Sequence, residues 1–372
     1  MVITFFSSVL NHHQQPFCDA IRKQPGVQFY FVQMGELEIQ RQRLGYTAVD
    51  ESYVIKAKEE PQEAYRLCME SDVVIAGVIH QDWVNKRVAQ NKLTFVYKER
   101  FLKKSPLVAL SPAFIKNGYW NYFRFRNKNL YFLCASSYTA KDTAIIFPRK
   151  NKKFCWGYFP MQDDIDWEEI RAAKKGNKIL CVGRLIDWKR IDTAIKAIYL
   201  LQKRGLRLEL DIVGEGPTEF KLKELAVRLG IDKQVHFLGA LPPSQVRNCM
   251  KEAEIFVFPS NKKEGWGAVL NEAMSMGCAC VASKQAGSSA YLIKHKENGF
   301  LFTSGNVKQL ASRIEEFLSD LDSCRMIQKK AYDTIKNQWN EQIASERFCL
   351  ICNAILTNNP LPQFEDGPMS LA

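Results

Sequence analysis

Short, uninterrupted apolar runs alternate along the chain with segments whose apolar residues recur every three or four positions. Such runs are typical of strands buried on both faces, and the periodic segments are typical of helices that cover a parallel sheet. The predicted strands are Val2–Leu10, Val27–Gln33, Val73–Ile79, Leu93–Tyr97, Leu130–Ser136, Lys178–Gly183, Arg207–Gly214, Val235–Leu238 and Ile255–Pro259. The predicted helices are Pro61–Ser71, Asp82–Asn91, Thr193–Arg204, Glu219–Leu229 and Ser244–Lys251. The pattern therefore predicts an α/β protein.

The length of 372 residues favours two such units, because a single core rarely grows beyond about 250–300 residues. The polar, charge-dense stretch Gln162–Asn177 is the predicted break, which gives domains 1–165 and 166–344. Helical periods then cover Val307–Leu318 and Asp322–Leu356. The tail Asn358–Ala372 is rich in proline, glycine and acid, so we expect it to be loosely ordered.

The net charge of +12 is concentrated in one part of the chain. Residues 91–160 hold 14 lysines and arginines, two acids and 17 of the 43 aromatic residues, and the remainder of the chain is neutral. Phe114–Lys128 mixes rings with cations as interfacial helices do, and Arg149–Lys153 adds a charge cluster. This pattern predicts a face for an anionic membrane. The alternative is an aromatic core with a solvated cationic rim. No helix-turn-helix, zinc or RNP pattern supports nucleic-acid binding.

Several classes of protein are disfavoured by the remaining composition. No apolar run approaches the ~20 residues of a membrane span, and the N-terminus lacks the features of a signal peptide. Most of the eleven cysteines lie in apolar runs, which favours reduced thiols and a cytoplasmic location. Cys349-x-x-Cys352 has metal-like spacing without a second pair, and Asp164-Ile-Asp166 is an Asp-x-Asp pattern near a helix start. We interpret the first as a helix face and the second as helix-dipole partners.

The densest chemical signal is the segment Glu264–Gly277, where the strand Ile255–Pro259 runs into a glycine-bearing loop. Ligands of open parallel sheets bind beyond the carboxyl ends of strands, and a helix N-terminus there suits a phosphate. Gly265 and Gly267 allow the backbone to approach a ligand. Glu264 is predicted in the loop and Glu272 on the first helical turns, both facing the crevice. Taken alone, both glutamates are equally compatible with surface or dipole-partner roles.

Two more strand ends carry suitable residues. Gly183, Arg184 and Lys189 follow one strand, and two cations at one strand end suit a diphosphate. Gly214-Glu-Gly216-Pro217 forms a tight turn after the next strand. It is neither a G-x-G-x-x-G fingerprint nor a P-loop, so dinucleotide and P-loop functions are disfavoured.

Taken together, these elements resemble the C-terminal domain of the family-4 retaining glycosyltransferases of the GT-B type, over about Asn177–Leu318. The matching features are Glu-x7-Glu, Gly-Arg…Lys, Gly-x-Gly-Pro, the strand after Gly277 with Gly287 beyond it, and Glu297–Phe302. The resemblance implies two Rossmann-like domains with parallel sheets facing a central cleft. The first domain would bind the acceptor and the second the nucleotide sugar, and a helix within 345–372 would cross back to the first.

The same resemblance implies roles for individual residues. Arg184 and Lys189 would hold the donor diphosphate, Glu264 would contact the sugar, and Glu272 would bind the ribose. Gly183, Gly214 and Gly216 would shape the donor site, and the loop Gly265-Trp266-Gly267-Ala268 would present backbone N–H groups. Phenylalanine is commoner than Trp266 in this family. The resemblance also implies a UDP- or GDP-linked donor. Because Arg184 and Lys189 supply positive charge, we expect that no metal or other cofactor is needed.

The first half resembles the family more weakly, because a polar loop stands where its glycine-rich loop belongs. His12 and His13 in that loop, His80 after the next buried strand, and Glu99 are the candidate acceptor or sugar ligands.

The sequence and the resemblance together predict a retaining glycosyltransferase that transfers a sugar to a lipid-linked glycan. The product would be a cell-surface polysaccharide or lipopolysaccharide. The enzyme would be peripheral on the inner face of the cell membrane. The alternatives are a GT-B nucleotide-sugar epimerase and an inactive, basic membrane-surface protein.

Overall fold

The computed structural model describes residues 1–36, 51–103, 105–161 and 164–372. The chain forms two compact units, one made of residues 1–161 with 339–372 and the other of residues 162–338. The sequence places these divisions at 165/166 and 344/345. Each unit has its own parallel sheet covered by helices, so the prediction of two Rossmann-like α/β domains is confirmed.

Within its described residues, the first unit has one seven-stranded sheet of order β3-β2-β1-β4-β5-β6-β7, and all six pairings are parallel. The strands are β1 Val2–Ser7, β2 Gln28–Gln33, β3 Val54–Lys56, β4 Val73–Ala76, β5 Leu93–Lys98, β6 Leu130–Cys134 and β7 Lys153–Cys155. Among the described residues before 162, the helices are α1 Gln15–Arg22, α2 Pro61–Glu70, α3 Gln81–Ala89, α4 Pro112–Asn121 and α5 Thr139–Ala144. The short strands β3 and β7 were missed because three residues carry too little periodicity.

The second unit has a six-stranded parallel sheet of order β10-β9-β8-β11-β12-β13. The strands are β8 Lys175–Val182, β9 Glu209–Val213, β10 Val235–Gly239, β11 Ala253–Phe258, β12 Ala279–Ser283 and β13 Phe300–Phe302. The helices are α6 Trp167–Ala173, α7 Ile191–Lys203, α8 Glu219–Leu229, α9 Pro243–Glu252, α10 Val269–Ser275, α11 Ser289–Leu292, α12 Val307–Leu318 and α13 Leu321–Asn337. Aliphatic side chains of α7, α8 and α12 form one buried cluster with the sheet.

The strand order reverses between β1 and β4 in the first unit and between β8 and β11 in the second. The loops that follow adjacent strands at such a point diverge to opposite faces of the sheet, which opens a crevice at the carboxyl ends. Each sheet therefore places a potential ligand site in the loops that follow these two strands.

The helical stretch predicted over Asp322–Leu356 is two helices. Helix α13 ends at Asn337, and helix α14, Glu341–Leu356, returns to the first unit. Asn340 is the N-cap of α14, and its Oδ1 accepts the backbone N–H of Ile343 at 2.8 Å. An asparagine cap competes with a continuous helix, and this accounts for the break. Phe348 of α14 packs on Phe95, with ring centroids 4.9 Å apart.

The expectation of a loosely ordered tail was wrong. Leu371 pairs antiparallel with Phe154 of β7, and the backbone N–H of Met369 donates to Cys155 O at 2.9 Å. Arg347 also holds the tail, since its Nη1 donates to the carbonyl oxygen of Asp366 at 2.6 Å. The proline, glycine and acidic residues of the tail suggested disorder, but backbone pairing at a sheet edge does not require hydrophobic periodicity.

A fully buried arginine joins three elements of the first unit. Arg87 of α3 donates to the carbonyl oxygens of Cys68, Asp72 and Leu93 and to Thr94 Oγ1, at 2.8–3.1 Å. These groups lie at the end of α2 and at the starts of β4 and β5. Burial lowers the pKa of Arg87 to about 10.

Within the described ranges, no helix is both long and apolar enough to cross a membrane. All eleven cysteines are free thiols, and ten of them, including Cys349 and Cys352 of α14, are buried.

Candidate functional site

In the second unit, the strand-end loops that follow β8 and β11 converge at the reversal point. The backbone N–H of Asn261, after β11, donates to the carbonyl oxygen of Trp188, after β8, at 2.8 Å. The loop after β9 packs on the same place, because the N–H of Leu185 donates to Glu215 O at 2.9 Å. The structure thus brings together the three segments that sequence analysis selected in this unit.

Close packing of these loops explains two of their glycines. A Cβ on Gly214 would lie 2.1 Å from the carbonyl oxygen of Gly183, and one on Gly216 would lie 2.4 Å from that of Leu185. Any side chain at either position would separate the β9 loop from the β8 loop. These glycines therefore shape the site through the backbone approach that they permit.

An ion pair joins the β8 and β11 loops. Lys189 Nζ lies 2.6 Å from Glu264 Oε2, and the two side chains are only 15% and 12% exposed. Lys189 ends the short 3-10 helix Asp187–Lys189, and its Nζ also lies 5.8 Å from the centre of the Phe258 ring. A cation and a carboxylate are thus held at the carboxyl ends of the two central strands, where each keeps some access to solvent.

Glu264 lies in the loop before α10, and Glu272 lies in the first turn of that helix. Between them Gly267 adopts a φ of +88°, and a Cβ there would lie 2.3 Å from Cζ of Phe258. Gly265 is buried, and Ala268 is the N-cap residue of α10. The left-handed conformation of Gly267 turns the chain from the loop into the helix, which sets the separation of the two glutamates.

Burial raises the pKa of Glu272 to about 7, although the positive charge of Arg247 acts in the opposite direction. This carboxyl group therefore changes its protonation state near neutral pH. A group of this kind can accept hydrogen bonds as a carboxylate or donate one as a carboxylic acid.

The other predicted residues of the second unit occupy different settings. Arg184 is exposed in the β8 loop. The indole ring of Trp266 is 1% exposed and lies inside the unit. Asp164 forms an ion pair with Lys336 at 3.1 Å, and Asp166 is the N-cap residue of α6.

In the first unit, the candidate acceptor residues follow β1, β4 and β5. The rings of His12 and His13 lie 3.7 Å apart, and His13 lies 6.1 Å from the ring of Tyr158. Tyr158 Oη donates to Glu99 Oε1 at 3.1 Å, and Glu99 also pairs with Lys103. Three of the four candidates are thus linked in one group. His80 is exposed before α3, and its ring packs on Trp83 at 4.9 Å.

Sequence reasoning missed several residues of these sites. Tyr158 joins His13 to Glu99 but belongs to no motif. Desolvation raises the pKa of its neighbour, the partly buried Tyr97. Phe258 could have been selected as the last residue of the strand that precedes the glutamate loop. Tyr158 carried no such signal, because its position depends on the path of the chain after β7.

The basic and aromatic region 91–160 presents a mixed surface. Leu107 and Leu110 are 70% and 73% exposed, and three side chains of α4 are at least half exposed: Ile115, Tyr119 and Trp120. Arg124 lies over the Trp120 ring at 5.0 Å. We call these six residues the α4 surface. The cluster Arg149–Lys153 is less available than its sequence suggests, because Lys153 is buried and donates to Ala140 O.

The arrangement in the second unit can bind an anion beside a carboxylate. Lys189 and Arg184 supply positive charge where phosphates bind in open α/β sheets, and Glu264 can stabilise positive character on a neighbouring group. The pairing of Glu264 with an ammonium differs from the all-oxygen ligand sets that magnesium requires.

Comparisons with known proteins cover the second unit of the chain. Residues 163–334 match the family model "Glycosyl transferases group 1". An uncharacterized glycosyltransferase of Haemophilus influenzae is 33% identical over 151 residues, and the amylovoran biosynthesis glycosyltransferase AmsK of Erwinia amylovora is 28% identical over 172. These alignments cover 40% and 45% of this chain and 42% of each relative, so the chain spans less than half the length of either relative.

The fold as a whole is similar to that of a solved structure. Anabaena HepE, crystallised with UDP, superposes with a TM-score of 0.69 at 16% identity, over 96% of this chain and 100% of that protein. The same protein has been crystallised with UDP-glucose, and that structure gives a TM-score of 0.63 over the same fractions. At this identity the likeness establishes the fold.

Proposed function

We propose that this protein is a retaining glycosyltransferase, because residues 163–334 match the family model of the group 1 glycosyl transferases and the fold is GT-B. It moves a sugar from a nucleoside diphosphate to a glycan in the synthesis of a cell-surface polysaccharide or lipopolysaccharide. The observation that carries this proposal is the Lys189–Glu264 ion pair at the carboxyl ends of β8 and β11, inside the matched segment. AmsK acts in amylovoran biosynthesis, and HepE binds UDP and UDP-glucose, which supports this donor class and product.

The proposed reaction follows from the charges. As the sugar leaves, negative charge grows on the diphosphate, and Lys189 and Arg184 stabilise it without a metal ion. Glu264 stabilises the positive character that develops on the sugar, as carboxylates do in glycoside chemistry. In the retaining route the acceptor hydroxyl attacks from the face that the diphosphate leaves, and the diphosphate takes the acceptor proton. Glu272 holds the ribose, and the loop 265–268 presents backbone N–H groups.

Lys189 has two partners in this scheme, the Glu264 carboxylate and the donor diphosphate. Replacing Lys189 by methionine removes a charge-assisted contact of about 1.5–3 kcal/mol, which corresponds to a roughly 10–150-fold weaker affinity for UDP or GDP. Replacing Glu264 by glutamine removes the carboxylate that competes with the phosphates for the Lys189 ammonium, so the affinity for the nucleotide is kept or rises. Turnover falls about 100-fold, because the carboxylate charge is lost.

The test is titration calorimetry with UDP and GDP, followed by measurement of nucleoside diphosphate release from a panel of nucleotide sugars. The matched control is the surface pair Lys223–Glu219, which has a similar separation of 2.7 Å. Lys223→Met and Glu219→Gln should leave both nucleotide binding and nucleoside diphosphate release unchanged. Unchanged turnover in both Lys189→Met and Glu264→Gln would refute the site. An epimerase would convert the donor sugar without glycosylating an acceptor, and an inactive protein would bind without releasing diphosphate.

We also propose that the acceptor is lipid-linked and that the α4 surface rests on the inner face of the cell membrane. The support is the combination of exposed apolar side chains with Arg124 within residues 107–124 of the unit that carries His13 and Glu99. An apolar patch of this kind marks an interaction site, and each nearby cation adds about 1 kcal/mol on an anionic bilayer.

Co-sedimentation with vesicles tests this surface. The double variant Leu107→Ser/Leu110→Ser should bind vesicles of phosphatidylcholine and phosphatidylglycerol at least fivefold more weakly than the unaltered protein. The control is Phe220→Ser, since Phe220 is 71% exposed on α8 of the second unit. Equal binding to neutral and anionic vesicles, or an unaffected double variant, would exclude the membrane role.

A further inference from the structure

A buried hydrogen bond spans the segment between the two glutamates. Trp266 Nε1 donates to Asn271 Oδ1 at 2.8 Å. Both side chains are inaccessible to solvent, with the indole 1% exposed and the asparagine fully buried. Trp266 lies two residues after Glu264, and Asn271 immediately precedes Glu272.

The indole is directed into the second unit rather than into solvent. The centre of its ring system lies 6.0 Å from that of Tyr291, and the backbone N–H of Ser288 donates to Trp266 O at 3.2 Å. Both the ring and the backbone of Trp266 are therefore attached to the segment around α11. A buried ring in this position can influence a ligand only through the loop to which it belongs.

The bond closes a short loop of chain. Asn271 lies within α10, so its position is set by the helix, and Trp266 lies in the loop before that helix. Between them Gly267 takes the left-handed conformation that redirects the chain. A fixed indole–amide contact limits how far the loop can move relative to the helix, and the two glutamates move with these two elements.

We propose that the Trp266–Asn271 pair is a positioning pair, which holds Glu264 and the backbone of residues 265–268 in register with Glu272 for nucleoside diphosphate binding. This inference rests on the proposed function. The two residues act through the loop and do not themselves touch the donor. The indole N–H donates and the amide oxygen accepts, so replacing either residue removes this buried bond and with it the link between the loop and α10.

Three variants test whether the two residues act through their shared hydrogen bond: Trp266→Phe, Asn271→Leu and the double variant. Each single variant should weaken UDP binding at least tenfold in titration calorimetry and lower kcat more than it raises the KM for the acceptor. The double variant should weaken UDP binding no more than the more affected single variant, because each single replacement already removes the shared bond.

Asn298→Ala is the matched control. Asn298 is buried in the same unit, and its Nδ2 donates to Leu292 O and Thr334 Oγ1. It precedes β13 and therefore lies at the amino ends of the strands, whereas the candidate site lies at their carboxyl ends. It should lower the melting temperature without changing UDP affinity. If the single variants behave like Asn298→Ala, the pair is only structural and the inference fails.

A second measurement does not depend on activity. Amide hydrogen exchange of peptides covering residues 259–268 should accelerate at least tenfold in Asn271→Leu and remain unchanged in Asn298→Ala. If the unaltered protein binds neither UDP nor GDP, the proposed function fails, and exchange still decides whether the pair holds the loop. Unaccelerated exchange in Asn271→Leu overturns the inference whatever the protein binds.

Discussion

Replacement of Gly267 by alanine tests the geometry of the glutamate loop most directly. Alanine at this position would have to keep the left-handed φ of Gly267, which costs an L-residue about 1–2 kcal/mol. Its Cβ would also lie 2.3, 3.1 and 3.2 Å from three atoms of the Phe258 ring, which is 1% exposed and has little room to retreat. Overpacking of this kind adds about 1–3 kcal/mol, so the free energy of unfolding should fall by roughly 2–5 kcal/mol.

Gly230 provides the matched control, because it has a φ of +67° and nothing within 4 Å of its hypothetical Cβ. Gly230→Ala therefore carries the backbone cost alone, about 1–2 kcal/mol. Urea unfolding followed by fluorescence should show Gly267→Ala to be the more destabilised by about 1–3 kcal/mol. Phe258→Leu, which removes the clashing Cζ, should recover part of that difference in the double variant. Equal losses in Gly267→Ala and Gly230→Ala would refute the reasoning.

Two further changes test buried charges. Arg87→Met removes the donor of four hydrogen bonds, three of them fully buried, and should lower the free energy of unfolding by about 3–5 kcal/mol in urea. Arg66→Met, in an exposed ion pair, should cost under about 1 kcal/mol, and similar losses in the two variants would contradict the role of Arg87. The folded-state pKa of Glu272, about 7, lies above its ordinary value, so its contribution to stability is complete below about pH 4.5 and declines as the pH rises through 7. Glu272→Gln should flatten that decline, by about 3 kcal/mol between pH 5 and 8.5 in urea titrations, and a pH profile identical to that of the unaltered protein would exclude the shift.

The fold could be predicted from the sequence wherever strands were long and fully buried. The runs around Phe5, Val74 and Ile255 could form only buried strands of a parallel sheet, and their helical intervals implied the crossovers. The three-residue strands, the asparagine cap at Asn340 and the edge pairing of the tail depend on single hydrogen bonds, which leave no periodic signal.

The candidate site was predictable in the second unit because its residues lie in strand-end loops with glycines whose spacing is local in sequence. The contact between Lys189 and Glu264 was not, since 75 positions separate them and only the strand order makes them neighbours. The link from His13 through Tyr158 to Glu99 is likewise a product of tertiary folding. The roles assigned to these residues stay predictions until the variants are measured.

The return of α14 and the tail to the first unit has a consequence for the order in which the protein is made. Phe348 and the tail complete a core and a sheet edge whose other members lie before residue 162. During synthesis at about 5–20 residues per second, residues 162–338 take roughly 10–35 s to emerge before these partners exist. The second unit can therefore fold first on the ribosome. During this time Phe95 and the edge of β7, both within residues 1–161, remain uncovered. Factors that shield nascent chains would act on that segment.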